Sequence, residues 1–184
     1  MIFLLTIPGI FIALLAHELG HYLMARVAGV GVSQIRIGLG PRVFSYHFRG
    51  CEILFAPLPL GASTSYEEVC SGIKARFIAA AGPAASFLVG VLAFAYSGIS
   101  LQADSIELSP VLGSPWSGAS LMLSVVSLAI AGFNVLPIRP LDGAAIVTGR
   151  FESLTASRGS ELHLFWILTT IIAIILTLWF AWRL

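Results

Sequence analysis

The chain contains 184 residues, of which 58% are hydrophobic and only 10% are charged, and its mean hydropathy is +0.95. A soluble domain of this size needs a more highly charged surface, so the composition excludes a water-soluble protein and indicates an integral membrane protein surrounded by the lipid bilayer. The formal net charge of +1, with arginines scattered singly, argues against nucleic acid as a partner.

Four segments of the chain are apolar and each is close to the ~20 residues that a membrane-spanning helix requires. These segments are residues 2–24, 79–98, 118–137 and 162–182. They predict a polytopic α-helical membrane protein with four transmembrane helices. The first segment has no basic residues at its start, so it is not predicted to be a cleaved signal peptide.

The basic residues predict the orientation of these helices. Lysine and arginine are concentrated between the first and second segments and between the third and fourth, whereas residues 99–117 contain none. Because cytoplasmic loops carry an excess of basic residues, both basic loops are expected on the cytoplasmic side. This multi-pass arrangement leaves both termini outside.

The loop after the first apolar segment has the composition of a small β-sheet. Three short runs rich in β-branched and aromatic residues are separated by glycine-containing turns, and they lie at residues 32–37, 43–48 and 51–56. They predict a membrane-associated β-meander over about residues 32–60. Phe44, Tyr46 and Phe48 alternate along one run and form an apolar face against lipid or a helix. Pro57 and Pro59 are expected to end the last strand at an edge.

The first apolar segment contains His17, Glu18 and His21 in a His-Glu-Leu-Gly-His motif. Ionisable groups are costly inside a membrane, so they are expected to be functional. Residues four apart project from the same face of a helix, and both imidazoles can therefore bind one metal ion. Glu18 then stands beside the remaining coordination position. A catalytic zinc site needs at least one further protein ligand.

The third apolar segment ends in Asn-Val-Leu-Pro-Ile-Arg-Pro-Leu-Asp-Gly at residues 134–143. The two prolines disrupt the helix where Asp142 appears. In the orientation above, the ends of the first and third helices lie on the same side, which makes Asp142 the expected third ligand beside His17 and His21. Two histidines and one carboxylate leave a fourth tetrahedral position for water, as in hydrolytic zinc sites.

Together, these two motifs resemble the site-2 protease family of intramembrane zinc metalloproteases. Gly-Pro-Ala-Ala-Ser at residues 82–86 resembles the small-residue motif of the intervening helix, and the turn at 38–41 looks like part of the family's membrane-associated β-hairpin. The resemblance covers roughly residues 10–147. Ser86 departs from the family because many relatives have asparagine there, and Arg139, Ala144 and Ala145 also depart from the pattern.

The resemblance implies an intramembrane zinc endopeptidase that cuts a membrane protein substrate within or near its transmembrane helix, as in regulated intramembrane proteolysis. One zinc ion would be held by His17, His21 and Asp142. Glu18 would take a proton from the attacking water and pass it to the leaving amine. Asn134 would bind the substrate backbone or the developing oxyanion. The whole chain, residues 1–184, is expected to form one domain, a minimal core without PDZ or nucleotide-sensing domains.

A helical substrate must unwind before its peptide bond is accessible. An extended substrate segment is expected to pair with an edge strand around residues 54–58, which replaces its helical hydrogen bonds. Two other functions remain open: a zinc transporter, which would place ligands along a path, and an inactive binder of transmembrane helices, which would not need Glu18. The substrate, the trigger, a separate regulatory partner and the oligomeric state are left open.

Overall fold

The computed structural model of the chain describes residues 2–68, 70–97, 100–102, 105–107 and 115–151. These residues form three long helices, one short helix, a four-stranded sheet and a two-stranded hairpin. The predicted fourth transmembrane segment, residues 162–182, lies outside the described residues.

The three long helices are α1 (Ile2–Val27), α2 (Ile73–Ser97) and α3 (Pro115–Asn134), and the short helix α4 covers Asp142–Thr148. Among the described residues, three helical stretches are long and apolar enough to cross a membrane: Ile7–Val27, Ile73–Ser97 and Trp116–Asn134. They agree with the first three predicted spans. Helix α2 begins six residues before the predicted span and includes Lys74 and Arg76 in its first turn. Helix α3 ends before Pro137, which cannot continue a helical hydrogen-bond ladder.

Small residues allow the three long helices to pack closely, and each of these helices contacts the other two. A Cβ added at Gly20 of α1 would overlap the backbone of Ala81 in α2, and one added at Gly90 of α2 would overlap Leu128 of α3. Lipid provides no hydrophobic drive for helices to associate, so close backbone approach and dispersion contacts become the main attraction. This packing fixes α2 against the face of α1 that carries the histidines.

The four-stranded sheet consists of β1 (Val32–Leu39), β2 (Phe44–Phe48), β3 (Cys51–Phe55) and β4 (Leu58–Tyr66) in the order β2-β3-β1-β4. Strands β2 and β3 form the expected antiparallel hairpin, but β3 pairs with β1 in parallel. Strand β4 then pairs with β1 in the antiparallel direction. The predicted three-stranded meander is therefore wrong, because a fourth strand follows Pro57 and β1, the first strand in sequence, lies between β3 and β4. Between α2 and α3, β5 (Ser100–Gln102) and β6 (Ser105–Glu107) form the two-stranded hairpin.

Strand β3 ends at Phe55, before Pro57, as expected, but the sheet continues into β4. Pro59 lies inside β4, at the edge of the described sheet, next to a register irregularity between Ile37 and Leu39. Edge strands tolerate proline because the missing N–H is not needed on the open side. Strand β4 extends to Tyr66, beyond the predicted end of the meander near residue 60.

The sheet is anchored to the helices through β1. Ile35 and Ile37 are fully buried and belong to one apolar cluster with Tyr22 of α1 and Ile78 of α2. Strand β4 also contacts α1. On the same face, at the edge of the sheet formed by β2, the aromatic residues Phe44, Tyr46 and Phe48 remain exposed. The sheet therefore holds β4 beside the part of α1 that carries Glu18.

Candidate metal and active site

Three side-chain atoms from distant parts of the chain converge beside α1. Nε2 of His17 and Nε2 of His21 lie 3.2 Å apart, and Oδ2 of Asp142 lies 3.0 Å from the first and 3.2 Å from the second. The two histidines are buried, and the Asp142 side chain is 17% exposed. The structure thus brings together the three residues that the sequence predicted as metal ligands.

The spacing of these atoms fits a zinc ion. Zinc binds imidazole nitrogen and carboxylate oxygen at about 2.0–2.2 Å in tetrahedral geometry, which places neighbouring ligand atoms about 3.3 Å apart. The separations of 3.0–3.2 Å are close to this value. Moreover, two imidazole nitrogens and a carboxylate all carry electron pairs, so their close approach calls for a proton or cation among them. Within the described residues, this is the cluster suited to hold a metal ion.

Helix α2 orients both imidazole rings. Nδ1 of His21 donates a hydrogen bond to the carbonyl oxygen of Ile78 at 2.8 Å, and Nδ1 of His17 lies 2.9 Å from Oγ of Ser86. When Nδ1 of a neutral imidazole carries the hydrogen, the electron pair is on Nε2. These two contacts therefore direct the electron pairs of both Nε2 atoms toward the same point, as outer partners of metal-binding histidines commonly do.

Gly82 lies on α2 between Ile78 and Ser86 and directly beneath one of the rings. A Cβ added there would overlap the imidazole of His21, including its Nε2 atom. Residues 82–86 of α2 therefore lie against the histidines, with Gly82 next to the ring of His21 and Ser86 next to the ring of His17. The signal that could have revealed this was a serine one turn after a glycine on an otherwise apolar helix.

Asp142 is held in place by the backbone around it. It is the first residue of α4, and Gly143 packs so closely against the carbonyl groups of Val135 and Leu136 that a Cβ would overlap both. At the other end of α4, the carbonyl oxygen of Gly149 accepts a hydrogen bond from the backbone N–H of Gly72, just before α2, at 2.7 Å. The short helix is thus tied to the end of α3 and to the start of α2.

Glu18 is buried next to His17 but is not one of the three converging residues. Its Oε2 atom accepts a hydrogen bond of 2.6 Å from Oγ1 of Thr64, on β4. Thr64 is not among the site residues predicted from sequence, because the predicted meander ends near residue 60. The alternation of Ala62, Thr64 and Tyr66 along β4 was the available signal.

Asn134 is the last residue of α3 and is buried. Its Nδ2 atom donates a hydrogen bond to the carbonyl oxygen of Ile130, one turn earlier in the same helix, at 2.9 Å. Within the part of the chain that the structure describes, no hydrogen bond joins Asn134 to His17, His21 or Asp142. The structure therefore brings together four of the five predicted site residues, and leaves Asn134 engaged with its own helix.

Comparison with known proteins shows the family of the chain. The sequence model of peptidase family M50 matches residues 5–108, more than half of the chain. The metalloprotease MmpA of Caulobacter vibrioides is 28% identical over 77% of this chain and 48% of its own length. The zinc metalloprotease of Methanocaldococcus jannaschii is 26% identical over 75% of this chain and 32% of its own.

Among solved structures, the site-2 protease from Methanocaldococcus jannaschii matches with 21% identity and a TM-score of 0.47, covering 78% of this chain and 52% of that one. The chain spans less than half the length of the curated relatives it matches. With a family match over residues 5–108 and three apolar helices, the chain belongs to peptidase family M50, as its resemblance to the site-2 proteases predicted, and is an integral membrane protein.

Proposed function

We propose that this protein is an intramembrane zinc endopeptidase that hydrolyses a peptide bond within or near the transmembrane helix of a membrane protein, as in regulated intramembrane proteolysis. The observation that carries the proposal is the convergence of His17, His21 and Asp142 beside the buried Glu18. Relatives named as a metalloprotease and as a zinc metalloprotease support the same proposal. A transporter has no need for a carboxylate that is held beside the ligands without joining them.

His17, His21 and Asp142 would hold one zinc ion per chain. A zinc ion in such a site supplies Lewis-acid activation of water and of the substrate carbonyl group. The protein's own contribution is orientation: Ile78 and Ser86 set the two rings, and the packing around Gly143 sets the carboxylate. Burial of the histidines excludes bulk water from most of the site.

Glu18 would act as the general base and then as the general acid. Its carboxylate would accept a proton from the attacking water and deliver it to the leaving amine nitrogen as the peptide bond breaks. Both steps require a carboxylate close to the metal ligands but not bound to the metal. Its place beside His17, with one oxygen held by Thr64, suits that role.

Asn134 would bind the substrate through its side-chain amide. One N–H of that amide is donated to Ile130, and an amide nitrogen carries two hydrogens, so the second is chemically able to bind a substrate carbonyl or the developing oxyanion. An oxyanion donor of this kind contributes about 3 kcal/mol to transition-state stabilisation when its geometry is good.

The substrate would pair with β4 rather than with the segment predicted from sequence. Residues 54–55 belong to β3, which pairs with β2 on one side and β1 on the other, so the expected edge at residues 54–58 is wrong for β3. Strand β4 is at the edge of the described sheet and contacts α1. An unwound substrate segment could exchange its helical hydrogen bonds for pairing with β4. The cytoplasmic orientation of the site remains a prediction from the basic loops.

The test uses the full chain, purified in detergent and reconstituted in phosphatidylcholine vesicles. The probe is a lysine-flanked synthetic transmembrane peptide of leucine and alanine with a central Gly-Asn pair and a fluorophore–quencher pair. We expect about one zinc per chain in the wild type and in Glu18→Gln, and cleavage in the wild type alone. Zinc binding with zinc transport into the vesicles and no cleavage would instead favour a transporter, and no zinc in the wild type would favour an inactive helix-binding protein.

A further inference from the structure

We propose that Thr64 of β4 is a positioning residue for Glu18, and that its hydroxyl group holds the carboxylate in the orientation needed for proton transfer. The inference rests on the proposed role of Glu18 as general base. The hydrogen bond from Oγ1 of Thr64 to Oε2 of Glu18 is 2.6 Å long. This length is typical of a hydroxyl group that donates to a charged carboxylate, and such bonds are stronger than those between neutral groups.

The position of Thr64 in β4 explains why a hydroxyl group there requires a partner. Alternate residues of a strand face the same side, and Ala62 and Tyr66, the neighbours of Thr64 on its face, pack against the apolar cluster. A hydroxyl group on such a face is costly unless it is hydrogen-bonded. Valine has nearly the same shape and also favours strands, so packing and strand propensity do not account for the hydroxyl group.

The backbone at Thr64 is well anchored. Thr64 pairs with Ile35 of the central strand β1, and the Ile35 side chain is 1% exposed. A glutamate side chain on a helix has three rotatable bonds, and a catalytic group must be held within about 0.5 Å of its productive geometry. Helix α1 sets only the backbone of Glu18. Thr64, on β4, restrains the Oε2 atom of the carboxylate. The other oxygen, Oε1, then carries out proton transfer.

This arrangement connects the edge strand β4 with proton transfer by Glu18. Strand β4 is where we place the extended substrate, and the same strand carries the donor to Glu18. A substrate that pairs with β4 would therefore be aligned with the Glu18 carboxylate by the same strand that orients this carboxylate. A purely structural role for Thr64 would instead affect folding and zinc binding as much as turnover.

The test compares Thr64→Val, which removes the hydroxyl group, with Thr64→Ser, which keeps it. Thr148→Val is the matched control, because the Thr148 hydroxyl group donates to Ala144 within α4 and is exposed. General acid–base groups contribute 10²–10⁴-fold to rates, and we expect Thr64→Val to lose about tenfold in kcat. KM, zinc content and unfolding temperature should stay near the wild-type values. Thr64→Ser should recover most of kcat, and Thr148→Val should match the wild type.

A second readout needs neither substrate nor turnover. In the infrared spectrum, the carboxylate band of Glu18 is the one lost in Glu18→Gln, and it should shift in Thr64→Val but not in Thr64→Ser or Thr148→Val. Wild-type kcat in Thr64→Val would overturn the positioning role while leaving the proposed function intact. Equal losses in Thr64→Val and Thr64→Ser would also overturn it, since the hydroxyl group would not matter. If the wild type cleaves nothing, the proposed function fails and the positioning role fails with it, whatever the infrared band shows.

Discussion

Nδ1 of His17 and Oγ of Ser86 lie 2.9 Å apart across the interface between α1 and α2, and both residues are buried. Ser86 thereby fixes the imidazole so that its other nitrogen faces Asp142. The serine hydroxyl is small enough to fit the tight packing of the two helices and still provides an acceptor for the ring N–H.

Replacing Ser86 with alanine should weaken zinc binding. The ring of His17 would lose the partner that holds its hydrogen on Nδ1, and loss of such outer partners typically costs 10–100-fold in metal affinity. Zinc titration against a chelator of known affinity, at constant pH, measures the change. Ser97→Ala is the matched control, since Ser97 is buried in the same helix and donates to its own backbone at Phe94. Similar losses in both variants would contradict the specific role of Ser86.

Gly82→Ala should disrupt the metal site without removing the helices. The added methyl group would overlap the His21 imidazole, so either the ring must rotate away from Asp142 or α1 and α2 must separate. We expect zinc content to fall to a small fraction of the wild-type value while circular dichroism shows retained helix. Gly132→Ala is the control, because a Cβ at Gly132 in α3 meets no atom within 4 Å. Full zinc content in Gly82→Ala would show that the helices adjust without cost.

Zinc should stabilise the folded protein through Asp142. A ligand that binds only the folded state stabilises it by about 2.7 kcal/mol at a hundred times its dissociation constant. The unfolding temperature of chelator-treated wild type should therefore rise when zinc is restored, and that of Asp142→Ala should change much less. The measurement is thermal unfolding in detergent at several zinc concentrations. An equal rise in both proteins would mean that another residue supplies the third ligand.

Helix-weakening residues in the substrate should speed cleavage. A helical substrate hides its carbonyl groups in hydrogen bonds, and pairing with β4 requires those bonds to open first. Peptides with Gly, Asn or Pro at the centre of the span should be cleaved faster than a continuous leucine helix of the same length. Initial rates in vesicles, at equal peptide-to-lipid ratios, give the comparison. Equal rates for the rigid helix would argue against strand pairing.

Several parts of this structure could be predicted because they depend on neighbours in sequence. Apolar length identifies the spans at Ile7–Val27, Ile73–Ser97 and Trp116–Asn134, since a bilayer sets the length of any helix that crosses it. The pairing of His17 with His21 follows from helical periodicity alone. The β2–β3 hairpin, with its turn at Arg49 and Gly50, follows from local turn chemistry.

Other parts could not be predicted because they depend on which distant segments meet. Local patterns identify strands but not their neighbours, so the parallel pairing of β1 with β3 and the edge position of β4 were missed. Thr64 and Ile78 acquire their roles only because β4 and α2 are packed on either side of α1. Every residue has a backbone carbonyl group, so the residue type at position 78 does not reveal that this oxygen accepts a hydrogen bond from His21.

The sequence by itself therefore determined the three apolar helices of the described residues and the spacing of His17 and His21, because hydrophobic length and helical spacing are local properties. The tertiary structure decided how the side chains of His17, His21 and Glu18 are oriented. Ser86, Ile78 and Thr64 come within hydrogen-bond distance of His17, His21 and Glu18 only after α1, α2 and the sheet have packed together, since hydrogen bonds between distant segments require both backbones to be fixed first.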